Sequence, residues 1–317
     1  MIFVDGPRVL ELLTYRDCIP VMRSAMKQLS SGETEQMLRQ ILPLDRGRMF
    51  GVMAGAMGAG HAWGSKLVSV TPERTDPTIP SHQGVLILFD PDRGSPSAVV
   101  EAGAVTAIRT ASASAMASDL LARPEARTLA IIGTGEQAHH HALAMMEVRP
   151  IRSIRIWGRS VERAEALAAR LASHLGIDVA AASSVGEATQ DADIICTVTA
   201  ANDPVLSGAS VKPGAHINVV GSSFDGPREI DDDLVAASRF FADSAESVRA
   251  QGAEFRHALK SGAVDDDHLL GEIGEVALGR IEGRTSPQDI TIYKSLGHIV
   301  QDISAGALVV EKATRSD

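Results

Sequence analysis

The chain has 317 residues, 44% hydrophobic and 22% charged, an ordinary globular composition that suits one large or two medium domains. A net charge of −10 and only 3% aromatic residues argue against a nucleic-acid or anionic-membrane partner. Two cysteines far apart in sequence, Cys18 and Cys196, point to a reducing compartment and give no metal-binding spacing.

The N-terminal stretch "MIFVDGPRVLELL" carries Asp5 too early for a signal peptide, and no apolar run is long enough to cross a bilayer, so a cytoplasmic protein is expected. Leu10, Leu13, Ile19, Met22, Met26 and Leu29 recur every three or four residues, which predicts helix over residues 7–31 with Gly32 as its stop. The segments "MLRQILPL", "RMFGVMAGAM", "WGSKLVSVTP", "GVLILFDPDRG" and "PSAVVEAG" follow. They are short, apolar and separated by Gly, Pro or Asp, the pattern of a sheet built from hairpins. Pro91 and Gly94 mark a turn within "FDPDRGSP". From Gly103 to Ala122 the residues are mostly Ala and Ser, predicting a helix packed closely through small side chains.

At Thr128 the pattern changes to alternation. "TLAIIG" reads as a buried strand, "EQAHHHALAMMEV" as a helix, "SIRIW" as a strand and "SVERAEALAARLASHLG" as a helix. Strands within "DADIICTVTA" and "HINVVGS" follow, with "RFFADS" as a further one. Such alternation predicts a parallel sheet with helices on both faces. A last helix from about Leu296 to Lys312, with no strand after it, is expected to return to the first domain.

Gly133, Thr134, Gly135, Glu136, Gln137 and Ala138 fit G-x-G-x-x-A directly after a strand and at the start of a helix, the context a dinucleotide needs. The first glycine makes the turn, the second admits the pyrophosphate, and the small third residue lets helix and strand pack. Where an NAD site usually places an acid for the ribose, this chain has Gly158, Arg159 and Ser160. An arginine and a hydroxyl suit a 2′-phosphate, so NADP(H) is favoured and NAD(H) stays open. His139, His140 and His141 are consecutive on a helix and cannot converge on one ion, so no metal site is expected.

Three cations stand on apolar elements: Arg39 in "QMLRQILPL" on a strand face with Met37 and Ile41, Lys66 with Val68 and Val70, and Arg109 among small residues of a helix. Embedded charges need partners, and no acid lies close in sequence to Lys66 or Arg109. An external carboxylate is therefore the expected partner.

These residues resemble the ornithine cyclodeaminase/mu-crystallin family. "LRQILPL", "GSKLVSV", "PSHQGVLILFDPDRG", "TAIRTASASAMAS", "IIGTGEQA", "IWGRS" and "YKSLGHIVQDISA" fall in its order and spacing over nearly the whole chain. The resemblance implies an α/β protein and a homodimer. A Rossmann dinucleotide-binding domain over residues 123–295 would join an α+β substrate and dimerisation domain with a mainly antiparallel sheet over 1–122 and 296–317. It also implies a carboxylate held by Arg39 and Arg109, with Lys66 beside the nicotinamide. Ser223 stands where cyclodeaminases carry a catalytic aspartate and mu-crystallin-like reductases a serine, and Asp225 is displaced from that position by two residues. "PSHQ", Pro80 to Gln83, also matches the reductases.

The resulting expectation is reduction of a C=N bond next to a carboxylate, as in a cyclic ketimine such as Δ1-pyrroline-2-carboxylate or Δ1-piperideine-2-carboxylate. Lys66 would supply the proton and His82 would assist, unless His82 is a structural histidine at a turn. Further cofactor contacts are expected from Thr197, Val198, Thr199, Val220, Ser222, Leu296 and Gly297. An ornithine cyclodeaminase, an amino-acid dehydrogenase, an iminosuccinate reductase using Arg46 or Arg48, and a crystallin-like binding protein are the alternatives.

Overall fold

The apolar spacing over residues 7–31 resolves into two helices. After strand β1 (Ile2–Val4), Asp5 caps α1 (Gly6–Leu12), and Thr14 caps α2 (Tyr15–Ser30) by accepting from the backbone N–H of Asp17. The Thr14 hydroxyl satisfies a donor that a continuous helix would have used, so the chain turns there. Gly32, at φ +71°, ends α2. The computed structural model describes residues 1–71 and 82–316. Pro80 and Ser81 of the "PSHQ" run lie outside the described residues. The chain divides into two units, Met1–Ala113 with His298–Asp317, and Ser114–Gly297.

The first unit holds a sheet with β2 (Glu35–Gln36), β3 (Gln40–Pro43), β4 (Met49–Ala56), β5 (Trp63–Val70), β6 (His82–Phe89) and β7 (Pro96–Glu101). Its order among the described residues is β1-β7-β6-β5-β4-β2, with β3 also on β4. Only the β1–β7 pair is parallel; the rest is antiparallel. The strand expected at "MLRQILPL" is broken. Gln36 pairs with Gly55 and Gln40 with Val52, so four steps on one side face three on the other. This bulge ends the alternation, and Arg39 lies in the connection instead of sharing a strand face with Met37 and Ile41. The C-terminal helix (Ile299–Ser316) belongs to this unit and lies against α2, β4, β5 and β6.

Helix α3 (Ala102–Leu121) carries the chain from the first unit into the second. Its residues from Ala107 to Ser118 are buried on every side, which small side chains allow by letting neighbouring backbones come close.

The second unit opens with β8 (Thr128–Ile132), α4 (Glu136–Met146), β9 (Ser153–Trp157), α5 (Val161–Leu175), β10 (Asp178–Ala181), α6 (Val185–Thr189), β11 (Ile194–Thr197) and β12 (His216–Val219). It continues with α7 (Asp232–Ala236), β13 (Ser238–Ala242), α8 (Ala245–Gln251), α9 (Ala253–Ser261), β14 (Leu269–Glu272), α10 (Ile273–Ala277) and β15 (Ile290–Lys294). The strands form a parallel sheet in the order β10-β9-β8-β11-β12-β15-β13-β14. β10, β14 and β15 were absent from the sequence-based expectation. β11 and β12 are buried at every position, as strands covered on both faces must be. Ile132, Ile195, Ile217, Phe240, Phe255 and Ile292 belong to the core around them. Strand order reverses between β8 and β11, which places the ligand-binding crevice of such sheets at the carboxyl ends of these two strands.

Candidate active site

Lys66 projects from the middle of β5 with its side chain 4% exposed. The external partner expected for it is preceded by an internal one. Asp302, in the first turn of the C-terminal helix, lies with its Oδ1 2.9 Å from Lys66 Nζ and 3.0 Å from Arg109 Nε. Lys66 Nζ also donates to Thr106 Oγ1 at 2.6 Å, and Arg109 Nη1 donates to Gln301 Oε1 at 2.8 Å. Asp302, Gln301 and Thr106 were missed because the first two lie nearly two hundred or more positions away from their partners. A signal existed: Asp302 sits among Ile299, Val300 and Ile303, as embedded in apolar sequence as Lys66 or Arg109.

The cluster keeps an unmet appetite for anions. Arg39, half-buried, is close enough to bear on the proton affinities of Lys66 and His298. Two cations, Lys66 and Arg109, share one carboxylate. Arg109 Nη2 and the third N–H of Lys66 carry no hydrogen bond among the described residues, and neither does the buried Asp302 Oδ2. Burial, reinforced by Arg109 and Arg39, pushes the Lys66 ammonium down to about 8, against the opposing pull of Asp302. Burial acts to raise the Asp302 carboxyl, but Arg109 and Lys66 hold it below the ordinary range. Burial also takes the His298 imidazole down to about 4, so it is neutral near pH 7. His82 begins β6 and is exposed. It pairs with Val70 while Lys66 pairs with Leu86, so the two share a sheet face but stand four residues apart, about 13 Å along the strand. Arg48 is exposed and pairs with Asp45.

In the second unit, Gly133 has φ +132°, and a Cβ there would come within 2.7 Å of the Val198 carbonyl oxygen. Gly158 faces the same turn, and a Cβ on it would lie 2.5 Å from Thr134 Cγ2. Gly135 is the exposed N-cap of α4 and makes no side-chain cap; a Cβ there would meet nothing within 4 Å. The N-terminus of α4 therefore opens onto space beside Gly135, a setting that fits a pyrophosphate. Glu136 and Gln137 lie in that turn, and Ala138 is buried where helix meets sheet. Arg159 is exposed beside this turn, while Ser160 uses its hydroxyl to cap α5 and to reach Glu162.

Other expected cofactor residues have partners inside the protein. Thr197 Oγ1 and Thr199 both donate to Glu229, and Val220 N donates to Thr197 O. The Ser222 hydroxyl is held between Glu254 and Lys294, so contact with a cofactor would fall to its backbone. The N–H groups of Leu296 and Gly297 donate to Asp243 Oδ2 at 2.8 and 2.7 Å. Ser223 is half-buried in the loop after β12, and Asp225 on the same loop is exposed and pairs with Arg256 at 3.3 Å. Of the three histidines, His141 is fully buried between Gln137 O and Ser114 Oγ.

Comparison with known proteins gives consistent matches. The model of the ornithine cyclodeaminase/mu-crystallin family matches residues 3–317. The ketimine reductase mu-crystallin of Mus musculus is 38% identical over 297 residues, covering 92% of this chain and 91% of that protein. A Delta(1)-pyrroline-2-carboxylate reductase of Bacillus cereus (strain ZK / E33L) is 31% identical over 315 residues, covering 99% and 97%. The structure of Thermococcus litoralis Delta(1)-pyrroline-2-carboxylate reductase, in complex with NADH and L-proline, superposes with a TM-score of 0.96 at 30% identity. It covers 100% of this chain and 98% of that one.

Proposed function

The chain belongs to the ornithine cyclodeaminase/mu-crystallin family, and from that premise we propose that it is an NAD(P)H-dependent reductase of imines that carry an adjacent carboxylate. The observation that carries this reading is the buried Lys66–Asp302–Arg109 cluster, whose excess positive charge and unused N–H groups suit a small anion. The relatives named for ketimine and pyrroline-2-carboxylate reduction support the choice of a C=N substrate.

A reduced nicotinamide dinucleotide, when bound, supplies the hydride. Gly133, Gly135 and the first turn of α4 would hold its pyrophosphate, with Glu136, Gln137 and Ala138 framing the turn. Arg159, exposed and beside this turn, favours NADP(H) by offering a guanidinium to a 2′-phosphate. The Thermococcus litoralis relative holds NADH, so NAD(H) remains the competing cofactor. In the first unit, Arg39 and Arg109 Nη2 hold the substrate carboxylate. Lys66, as ammonium, donates the proton to the imine nitrogen as the carbon gains hydride, and the C=N bond becomes CH–NH. The Asp302 carboxylate keeps Lys66 protonated to higher pH than burial alone would allow. Ser223 in place of an aspartate favours net reduction over ring closure with loss of ammonia, because the loop lacks a carboxylate at that position.

The first unit is proposed as the substrate and homodimerisation domain, and the second as the dinucleotide domain. Among the described residues no helix is long and apolar enough to cross a membrane. The deciding experiment is a spectrophotometric screen of NADPH and NADH oxidation. Its substrates are Δ1-pyrroline-2-carboxylate, Δ1-piperideine-2-carboxylate and open-chain 2-imino acids, with ammonia release from ornithine in parallel. Turnover of a cyclic ketimine supports the proposal. Ammonia release without ketimine turnover would replace it with cyclodeamination, and tight dinucleotide binding without any turnover would replace it with a binding role.

A further inference from the structure

The Ser114–Gly297 unit buries three ionisable side chains that the reaction above does not use. Glu229, Glu254 and Lys294 are all fully buried. Burying such charges is costly unless they are paired or hydrogen-bonded, so their partners show what they are built to hold. Glu229 Oε1 accepts from Thr199 N at 2.6 Å and from Thr199 Oγ1 at 2.8 Å; Oε2 accepts from Thr197 Oγ1 at 2.8 Å and from Gly221 N at 2.6 Å. One carboxylate thus takes four donors, from the carboxyl end of β11 and from the loops that follow β11 and β12.

The second pair lies directly behind. Glu254 Oε1 accepts from the Ser222 hydroxyl and from Glu229 N, the latter at 3.2 Å, while its Oε2 pairs with Lys294 Nζ at 2.8 Å. Lys294 also donates to Ser222 O at 2.7 Å and to Ser222 Oγ at 2.6 Å. The loops touch at backbone level: a Cβ on Gly221 would collide with the Thr199 carbonyl oxygen and lie 2.5 Å from Glu229 Oε1. Burial, with Glu254 adding to it, raises the Glu229 carboxyl above its ordinary range, despite the Thr199 donors and the Lys294 charge. A group that only filled space there would be apolar.

In an open parallel sheet of this order, a dinucleotide crosses the switch point, with the adenosine half over β8 and β9 and the other half over β11 and β12. We propose that Glu229 is a positioning residue for the nicotinamide half of the cofactor, clamping the β11 and β12 exit loops together, with Glu254 and Lys294 locking Ser222 in the second loop. The inference rests on the dinucleotide reading. Glu229 itself touches neither cofactor nor substrate; it fixes the backbone on which the ring must lie.

The test separates the two halves of the ligand. Binding of the preferred dinucleotide is compared with binding of its nicotinamide-free fragment, ADP-ribose or the 2′-phosphate of ADP-ribose. Glu229→Gln replaces an acceptor by a donor against N–H and O–H groups, and it is expected to weaken the dinucleotide by about tenfold or more. The fragment should change by less than about twofold, since the phosphate turn after β8 is untouched. Thr199→Val, which removes the hydroxyl that donates to Glu229 and accepts from Ala201 N while keeping the backbone bond to Glu229, is the milder variant and should show the same split at about threefold to tenfold. Equal weakening of dinucleotide and fragment, or no weakening of either in both variants, would overturn the positioning role. Failure of the unmodified protein to bind dinucleotide or fragment would overturn the dinucleotide reading, and this inference with it.

Discussion

Lys66 and Asp302 stand 236 positions apart in the chain and form a 2.9 Å ion pair that solvent hardly reaches. The same Asp302 oxygen serves Arg109, so one carboxylate sets both the position of two cations and the proton affinity of one.

That relationship fixes a pH dependence. With the Lys66 ammonium pushed down to about 8, kcat/KM for imine reduction falls as pH rises through about 8, because the proton donor is lost. Oxidation of the product amino acid needs the neutral amine and rises over the same interval. Asp302→Asn removes the charge that holds the proton on Lys66, so its reductive limb moves to lower pH. Rate–pH profiles of both proteins check this; coincident profiles would count against the role of Asp302.

Stability carries its own sign. The folded-state value of Lys66 lies below the ordinary 10.5, so between about 8 and 10.5 the unfolded chain binds the extra proton and Lys66 adds a rise in stability with pH. The urea-unfolding free energy of the wild type minus that of Lys66→Met is expected to grow across this window.

Lys66→Ala is expected to lower turnover by roughly 10²–10⁴-fold, the usual worth of a positioned acid, while the dinucleotide still binds. Steady-state kinetics beside fluorescence titration of NADPH separate the two effects. Near-normal turnover in a folded variant would remove Lys66 from the mechanism.

The phosphate turn gives a steric prediction. Gly158→Ala drives a methyl group against Thr134 Cγ2 and should displace the loop that cradles the pyrophosphate, raising the dinucleotide Kd. Gly133→Ala meets both a strained φ and the Val198 carbonyl, and a cost of about 1–3 kcal/mol is expected from the backbone conformation alone. Calorimetric titration and thermal melts measure these; unaltered dinucleotide affinity in Gly158→Ala would contradict the placement of the turn.

The proposed preference for NADP(H) is tested at Arg159. Arg159→Ala should raise the KM for NADPH by about tenfold or more and leave that for NADH nearly unchanged, because only the former offers a phosphate to the guanidinium. A wild-type protein with a much lower KM for NADH would reverse this assignment.

Much of this arrangement is readable from local sequence because it rests on local physics. The turn Gly133–Ala138 lies between a buried strand and a helix whose periods are plain, and the unbroken small-residue run of α3 has no other stable reading. The split near Arg39 was not readable, since a bulge is fixed by register with β4 and not by the strand's own residues. Strand β15 hides for a similar reason: "ITIYK" earns its place only by pairing with β12 and β13. Asp302 and Glu229 show the limit most clearly. Each is one acid among many in a chain of net charge −10, and only the fold reveals which cations and N–H groups converge on it.

The distance between Lys66 and Asp302 along the chain has a temporal meaning. The Ser114–Gly297 unit is one continuous segment and can close as soon as it has been made. The first unit cannot, because its positive centre receives its counter-charge 236 residues after Lys66 leaves the ribosome. At ordinary rates of synthesis that is a wait of roughly 10–50 s. During it the β5 lysine and the α3 arginine lack the carboxylate that makes their burial tolerable, so the earlier-made sheet should reach its final packing last.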